Sequence, residues 1–298
     1  MRKYPVILVL LCLTMHLVLV FNAGVVQAQS PRGTELVNCL DPQRQIVRRA
    51  RADQCEGRVV SNAEAARIRE QRRAYIAESM EEAKESSVIG KRLAGVGAGF
   101  FVDFQGAIIT NAHVVKDCSD LAISSPNGTV SRVKLVAAQP NRDLALLKGE
   151  LQPAAVAEFA SNADPAGAGV FIVGYPNQGL PPLIPLLTEG TLRPSANTSG
   201  PLPFNAAVRP GNSGGPALNA AGQVVGVVFA AADTSKIYQE SGRIVRDQGV
   251  AIPNSAVRAF LSAHGVTADF KPASSNRLEP HRLLESAREY VVRVECWN

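Results

Sequence analysis

From Gly95 onward the sequence predicts an all-β core of antiparallel barrel or sandwich type, preceded by a helix and followed by a short helix–strand extension. Three observations carry this. Short runs rich in Val, Ile and Phe follow one another at turn spacing, as in "GAGFFVDFQGAIITNAHVV" and "LAISSPNGTVSRVKLVAA", the latter with Asn127-Gly128 as a hairpin signal. No helical pattern separates these runs, so the βαβ series of a parallel sheet is not indicated. Composition agrees, because 24 glycines and 19 prolines supply turns while aromatic residues are only 5% of the 298.

The elements follow in order. "MRK" and the apolar run Val6 to Val20, then "VQA" at Val26 to Ala28, have the form of a secretory signal cleaved after Ala28. The run is short for a membrane span and a polar, charged segment follows, so contact with the membrane is expected only through this cleavable signal. Cys12 lies inside the run, and no small-residue box leads into a cysteine at the cut. Removing 1–28 takes Arg2 and Lys3 with it and leaves a net charge of +3, ungathered on any motif, which gives no reason to expect nucleic acid as a partner.

Residues 29 to about 60 form a polar, basic arm. Ser61 to Lys91 reads as a helix with Ser61 or Asn62 as cap, and Ile68, Tyr75, Ile76, Met80 and Ala83 fall on one face. "DLALLK", "AGAGVFIVGYP", "LTEGTLRP", "FNAAV" and "PALNAAGQVVGVVFAA" continue the strands, and "QPAAVAEFASNADPAGAG" connects two β units. "PNSAVRAFLSAHG" is a short helix starting at Asn254 or Ser255, 270–279 a linker, and "HRLLESAREYVVRVECWN" a helix and terminal strand. This divides the chain into 1–28, 29–94, 95–265 and 266–298.

Four cysteines remain after the signal: Cys39, Cys55, Cys118 and Cys296. An even number in an exported chain indicates disulfides, and four cysteines allow three pairings. The expected one joins Cys39 to Cys55, stapling the arm, and Cys118 to Cys296, tying the C-terminus to the body. No pair is spaced as a zinc knuckle; no metal or cofactor is called for.

Three polar residues carry the chemistry. His113 follows a strand in "ITNAHVV", Asp143 precedes one in "NRDLALL", and Ser213 sits in "RPGNSGGPAL". Singly, each has a bland reading as a strand-end, cap or turn residue. Together they supply what nucleophilic acyl transfer needs: a hydroxyl, an imidazole to take its proton, and a carboxylate to hold the imidazole. The glycines around Ser213 let the Gly211 and Ser213 N–H groups meet on one oxyanion. "GNSGG" also satisfies the G-x-S-x-G elbow of α/β hydrolases. That fold requires a helix after the serine, where Pro216 and a strand pattern stand instead.

"GAGFFVDFQGAIITNAHVV", "NRDLALLK", "VGYP", "RPGNSGGPAL", "GQVVGVVFA" and "GVAIP" occur in the order found in trypsin-like serine proteases of the Deg/HtrA type, which the chain resembles from about Gly95 to Leu261. The resemblance implies a chymotrypsin-like fold of two perpendicular six-stranded antiparallel β-barrels, at about 95–155 and 165–253, with a cleft between them. It implies an exported serine endopeptidase acting on protein or peptide substrates. His113 becomes the general base, Asp143 its orienting carboxylate, Ser213 the nucleophile, and Gly211 and Ser213 the oxyanion-hole donors. Val227, Val228, Phe229 and Ala230 become the edge that pairs with substrate backbone, and Ala207 the floor of the primary pocket. Ala207 is not acidic, so with Val208 and Val228 nearby a small or medium apolar side chain is expected before the scissile bond; Arg209 changes this if it points inward.

The chain departs from the pattern in places. Asn212 stands where trypsin-type zymogens carry an aspartate that binds a new N-terminus, so that activation route is not expected, and ordering of the loops at 176–186 and 231–249 is expected instead. Nothing after residue 265 has the pattern of the PDZ domain many Deg-type enzymes carry. The alternative function is a protease-fold binding or scaffold protein with an idle triad. Oligomeric state is not legible, and the sequons at Asn127 and Asn197 matter only in a glycosylating host.

Overall fold

The computed structural model describes residues 35–298 except 44, 86–89, 127, 163, 177–182, 196–199 and 232–246. The signal segment, both sequon asparagines and most of the two loops expected to regulate the site lie outside the described residues.

The arm is a small sheet. Strands β1 (Leu36–Asp41), β2 (Ile46–Arg51) and β3 (Arg58–Val60) pair antiparallel in the order β2-β1-β3. A Cys39–Cys55 disulfide crosses it. Helix α1 (Asn62–Glu85) starts where expected: Ser61 Oγ accepts the Glu64 N–H at 3.1 Å, and Glu64 bonds Arg58. Ala65 and Ile68 bury its first turns against Leu40, Val47 and Val60. The helix stops short of Lys91: Gly90 already has φ +86° and residues 91–92 are not helical.

Two closed six-stranded antiparallel barrels form the core. The first uses β4 (Leu93–Phe101), β5 (Ala107–Thr110), β6 (Asp120–Ser124), β7 (Val130–Gln139) and β8 (Leu144–Gly149). Its sixth strand is β17 (Val291–Trp297), in the order β17-β4-β5-β8-β7-β6. The expected span of this barrel, about 95–155, omits that strand. β17 comes from the far end of the chain and pairs with β4 over Val291 to Trp297 and with β6 over Arg293 to Trp297.

After β9 (Glu158–Ala160), the second barrel takes β10 (Gly169–Gly174), β11 (Leu186–Leu192), β12 (Leu202–Asn205), β13 (Pro216–Leu218), β14 (Val224–Ala231) and β15 (Gln248–Pro253). The β13–β14 pairing closes the ring. Strand β13 follows Ser213 directly, so the helix that an α/β-hydrolase elbow requires is replaced by sheet. Helix α2 (Asn254–Ala263) comes next, but Asn254 does not cap it. Its Nδ2 donates instead to Ala160 O and Val224 O, both at 2.7 Å, stitching β9 to β14. β16 (Asp269–Lys271), expected to be linker, pairs parallel with β9. Helix α3 (Pro280–Arg288) then leads into β17.

One apolar cluster fills the first barrel with Phe100, Ile108, Ile109, Ile123, Leu144 and Leu147 and runs on into α2 and α3, while a second fills the other barrel. Each such side chain contributes about 1.5–3 kcal/mol when fully buried. The Cys118–Cys296 disulfide fastens β17 to the segment after His113 across 178 residues of chain. Replacing both cysteines with alanine is expected to remove roughly 3–5 kcal/mol of stability, since long closed loops constrain the unfolded chain most. Denaturant melts of the variant and the native protein under non-reducing conditions check this.

Candidate active site

Two polar residues at the end of β5 fix the geometry. Thr110 and Asn111 are fully buried within an apolar run. Thr110 Oγ1 donates to Ala98 O at 2.7 Å and Asn111 Nδ2 donates to Asp143 O at 2.8 Å. Sequence reasoning passed over both; the polar pair inside "AIITNAH" was the available signal.

Asp143 ends a 3₁₀ turn over Pro140–Arg142 with φ 53°, a left-handed conformation uncommon for a side-chain-bearing residue. That turn aims both carboxylate oxygens at His113. Oδ1 accepts the His113 main-chain N–H at 2.9 Å, and Oδ2 lies 2.7 Å from Nδ1. A carboxylate can only accept, so in the neutral ring Nδ1 carries the proton and Nε2 keeps its lone pair. His113 is half exposed and Asp143 largely covered.

Ser213 is brought to the same place from the second barrel. Its carbonyl accepts the Ala98 N–H at 2.8 Å. A Cβ on Gly214 would stand 2.2 Å from Ala98 O, 2.4 Å from Thr110 Oγ1 and 3.1 Å from Asn111 N. The serine turn is therefore pressed onto the strand end that carries His113. Among the described residues no hydrogen bond links Ser213 Oγ to the imidazole, a contact that in free enzymes is often long and tightens with substrate.

The turn before the serine has Pro210 second, Gly211 third with φ +97°, and an Asn212 N–H to Arg209 O bond of 3.0 Å, the pattern of a type II turn. The N–H groups of Asn212, Gly214 and Gly215 are all satisfied, whereas those of Gly211 and Ser213 find no acceptor among the described residues. A Cβ on Gly211 would meet Tyr175 O at 2.0 Å, and the Tyr175 N–H donates to Gly211 O at 2.9 Å. The Tyr175 phenol donates to Val291 O at 3.2 Å, tying this corner to β17, and burial pushes its pKa up so that it remains a donor.

The expected substrate-binding residues separate into two groups. Val227 and Val228 are fully buried, and their backbone is committed to the sheet: Val227 pairs with Pro216 and Ile252, and Val228 exchanges bonds with Gly214 and Gly215. An open edge therefore begins at Phe229, where a bulge falls between Val228 and Ala230, and only β15 pairs with β14 beyond it among the described residues. Phe229 borders a cavity of about 670 Å³ that also touches Asp143, Pro140, Ile252 and Ala256. Val208 is packed into the second-barrel core with Val228, so neither lines an open pocket. Ala207 lines a separate cavity of about 480 Å³ whose other wall is the N-terminal sheet, through Cys39, Gln43 and Arg48. Gln43 Oε1 accepts the Leu187 N–H at 3.3 Å to hold that sheet in place. Arg209 turns back, its Nη1 on Val208 O at 3.1 Å and 3.5 Å from Asp247.

Residues 97–227 match the model of the trypsin-like peptidase domain. The chain is 36% identical over 186 residues to the putative serine protease HhoA of Synechocystis, covering 58% of this chain and 46% of that one. It is 32% identical over 155 residues to a probable periplasmic serine endoprotease DegP-like of Pseudomonas fluorescens, covering 49% and 30%. The chain carries a trypsin-like peptidase domain of the Deg/HtrA type. It spans less than half the length of these curated relatives. Among solved structures, the Rv3671c protease of M. tuberculosis in its active form aligns with a TM-score of 0.49 at 26% identity, over 61% of this chain and 77% of that one. Within the Deg/HtrA-type domain, His113, Asp143, Ser213 and the Gly211 turn all fall inside the matched span.

Proposed function

We propose that this Deg/HtrA-type chain is an exported serine endopeptidase that hydrolyses peptide bonds in protein or peptide substrates. The observation that carries the reading is the two-point grip of Asp143 on His113, set against a serine turn with two unpaired N–H groups. His113 Nε2 takes the Ser213 proton as Oγ bonds to the substrate carbonyl carbon. The oxygen becomes an oxyanion accepting from Gly211 and Ser213 N–H. Collapse breaks the C–N bond, and His113 hands its proton to the leaving amine. Water, deprotonated in turn by His113, releases the acyl group and restores the serine.

Substrate backbone pairs with the β14 edge from Phe229 through Ala230. The preference for a small or medium apolar side chain rests on Ala207, a methyl group where a pocket for lysine or arginine would need a carboxylate. Export is supported by the N-terminal signal pattern, the two disulfides and the periplasmic designation of a relative.

Fluorophosphonate labelling and cleavage of an unfolded protein are expected for the native chain. Both vanish in Ser213→Ala, with turnover down roughly 10⁶-fold, the scale of nucleophile removal. A native chain that neither labels nor cleaves would instead be a binding protein on a protease fold.

A further inference from the structure

The turn that presents the Gly211 N–H is closed twice by one residue. Asn212 is fully buried. Its main-chain N–H donates to Arg209 O at 3.0 Å, and its Oδ1 accepts the Arg209 N–H at 2.9 Å. These two bonds clasp the ends of the turn together, and Gly211, at φ +97°, gives it the type II form. Inversion would turn the Gly211 N–H away and put the Pro210 carbonyl in its place, since a type I turn exchanges those two groups. The clasp is seated in the barrel by Tyr175 N–H on Gly211 O and by Gly215 N–H on Asn212 O, at 2.9 and 3.0 Å.

The other side-chain atom, Nδ2, is buried without a partner among the described residues, packed against Gly174. Among the described residues no cation is paired with it: the Arg209 guanidinium is turned to Val208 O and Asp247. An uncharged amide suits this position, and an ion would not.

We propose that Asn212 is a positioning residue whose side-chain amide locks the Arg209–Asn212 turn in the form that keeps the Gly211 and Ser213 N–H groups free, so that the oxyanion site is built without an ionic partner or a chain cleavage. The proposal rests on Ser213 being the nucleophile.

Asn212→Leu keeps volume and removes the acceptor. Its kcat is expected to fall roughly 10²–10³-fold with KM changed far less, because the lost donors act only in the transition state. The rate of fluorophosphonate labelling, normalised to folded protein, falls in parallel. Asn212→Asp is the second variant. Its neutral carboxyl copies the donor and acceptor of the amide, whereas its ionised form leaves a buried charge unpaired and is disfavoured by burial. The kcat ratio of variant to native is therefore expected near one in acid and to decline as pH rises. The nearby charged groups, the His113–Asp143 pair and the Arg209–Asp247 pair, are common to both proteins and cancel in the ratio.

A kcat for Asn212→Leu within about twofold of native, or a kcat for Asn212→Asp that in acid falls as far as that of Asn212→Leu, overturns the proposal. If the native chain itself neither labels nor cleaves, the enzymatic reading fails separately. The clasp is then judged by hydrogen exchange at the Arg209 amide, protected in the native protein and unprotected in Asn212→Leu; equal protection in both overturns it.

Discussion

Asp143→Asn is expected to lower kcat by about 10⁴-fold while leaving the fold and KM nearly unchanged. The size follows from how the two oxygens are spent. Oδ1 accepts a main-chain N–H and Oδ2 faces Nδ1 of the imidazole, at 2.9 and 2.7 Å. An asparagine has one oxygen and one NH₂ for these places. The His113 main-chain N–H cannot turn away, so it keeps the oxygen and the NH₂ meets Nδ1. That contact is satisfied only when Nδ1 is bare and Nε2 carries the proton, the tautomer that cannot accept from Ser213. Steady-state kinetics with a thermal melt check it: a kcat within about tenfold of native at unchanged Tm would show that Asp143 does not set the tautomer.

Gly214→Ala is expected to lower Tm by on the order of 10 °C and to abolish fluorophosphonate labelling. The position has φ +84°, which costs about 1–2 kcal/mol for an L side chain. The added methyl also collides with Ala98 O at 2.2 Å and Thr110 Oγ1 at 2.4 Å. Neither atom can give way cheaply, because Thr110 Oγ1 donates to that same Ala98 carbonyl. Relief must come from lifting the serine turn off the first barrel, which breaks the Ser213 O contact with Ala98 N and the Gly214 N–H bond to Val228 O. Calorimetry and labelling of the purified variant test this, and a Tm within about 2 °C of native would mean that the two barrels do not meet there as described.

His113 and Asp143 stood out in the sequence because each adjoins an apolar strand run, and Ser213 because of the glycines around it. The turn was legible through the glycines around Ser213, which let the backbone turn sharply. What escaped notice depends on partners distant in sequence. "VVRVECW" alternates like a strand with one wet face, yet Arg293 and Glu295 are both buried. They pair with each other, and Glu295 also accepts from Ser124 Oγ at 2.6 Å and Trp297 Nε1 at 3.0 Å. Periodicity cannot distinguish a solvated charge from one satisfied inside a barrel wall. Val227 and Val228 were expected on an open edge and are paired within the sheet instead, because sequence does not show where β13 stops pairing with β14.

The origin of β17 also constrains the order of assembly. Chains ordinarily fold N-terminal part first as they emerge. Here the barrel that holds His113 and Asp143 lacks a wall until residues 291–297 arrive, after every strand of its neighbour. Until then β4 and β6 are raw edges with unpaired backbone, and the segment after His113 is not yet fastened through Cys118. A partly delivered chain thus holds a finished serine turn and no seat for it. On the proposed reading, the site is then completed last of all, by the final strand of the chain.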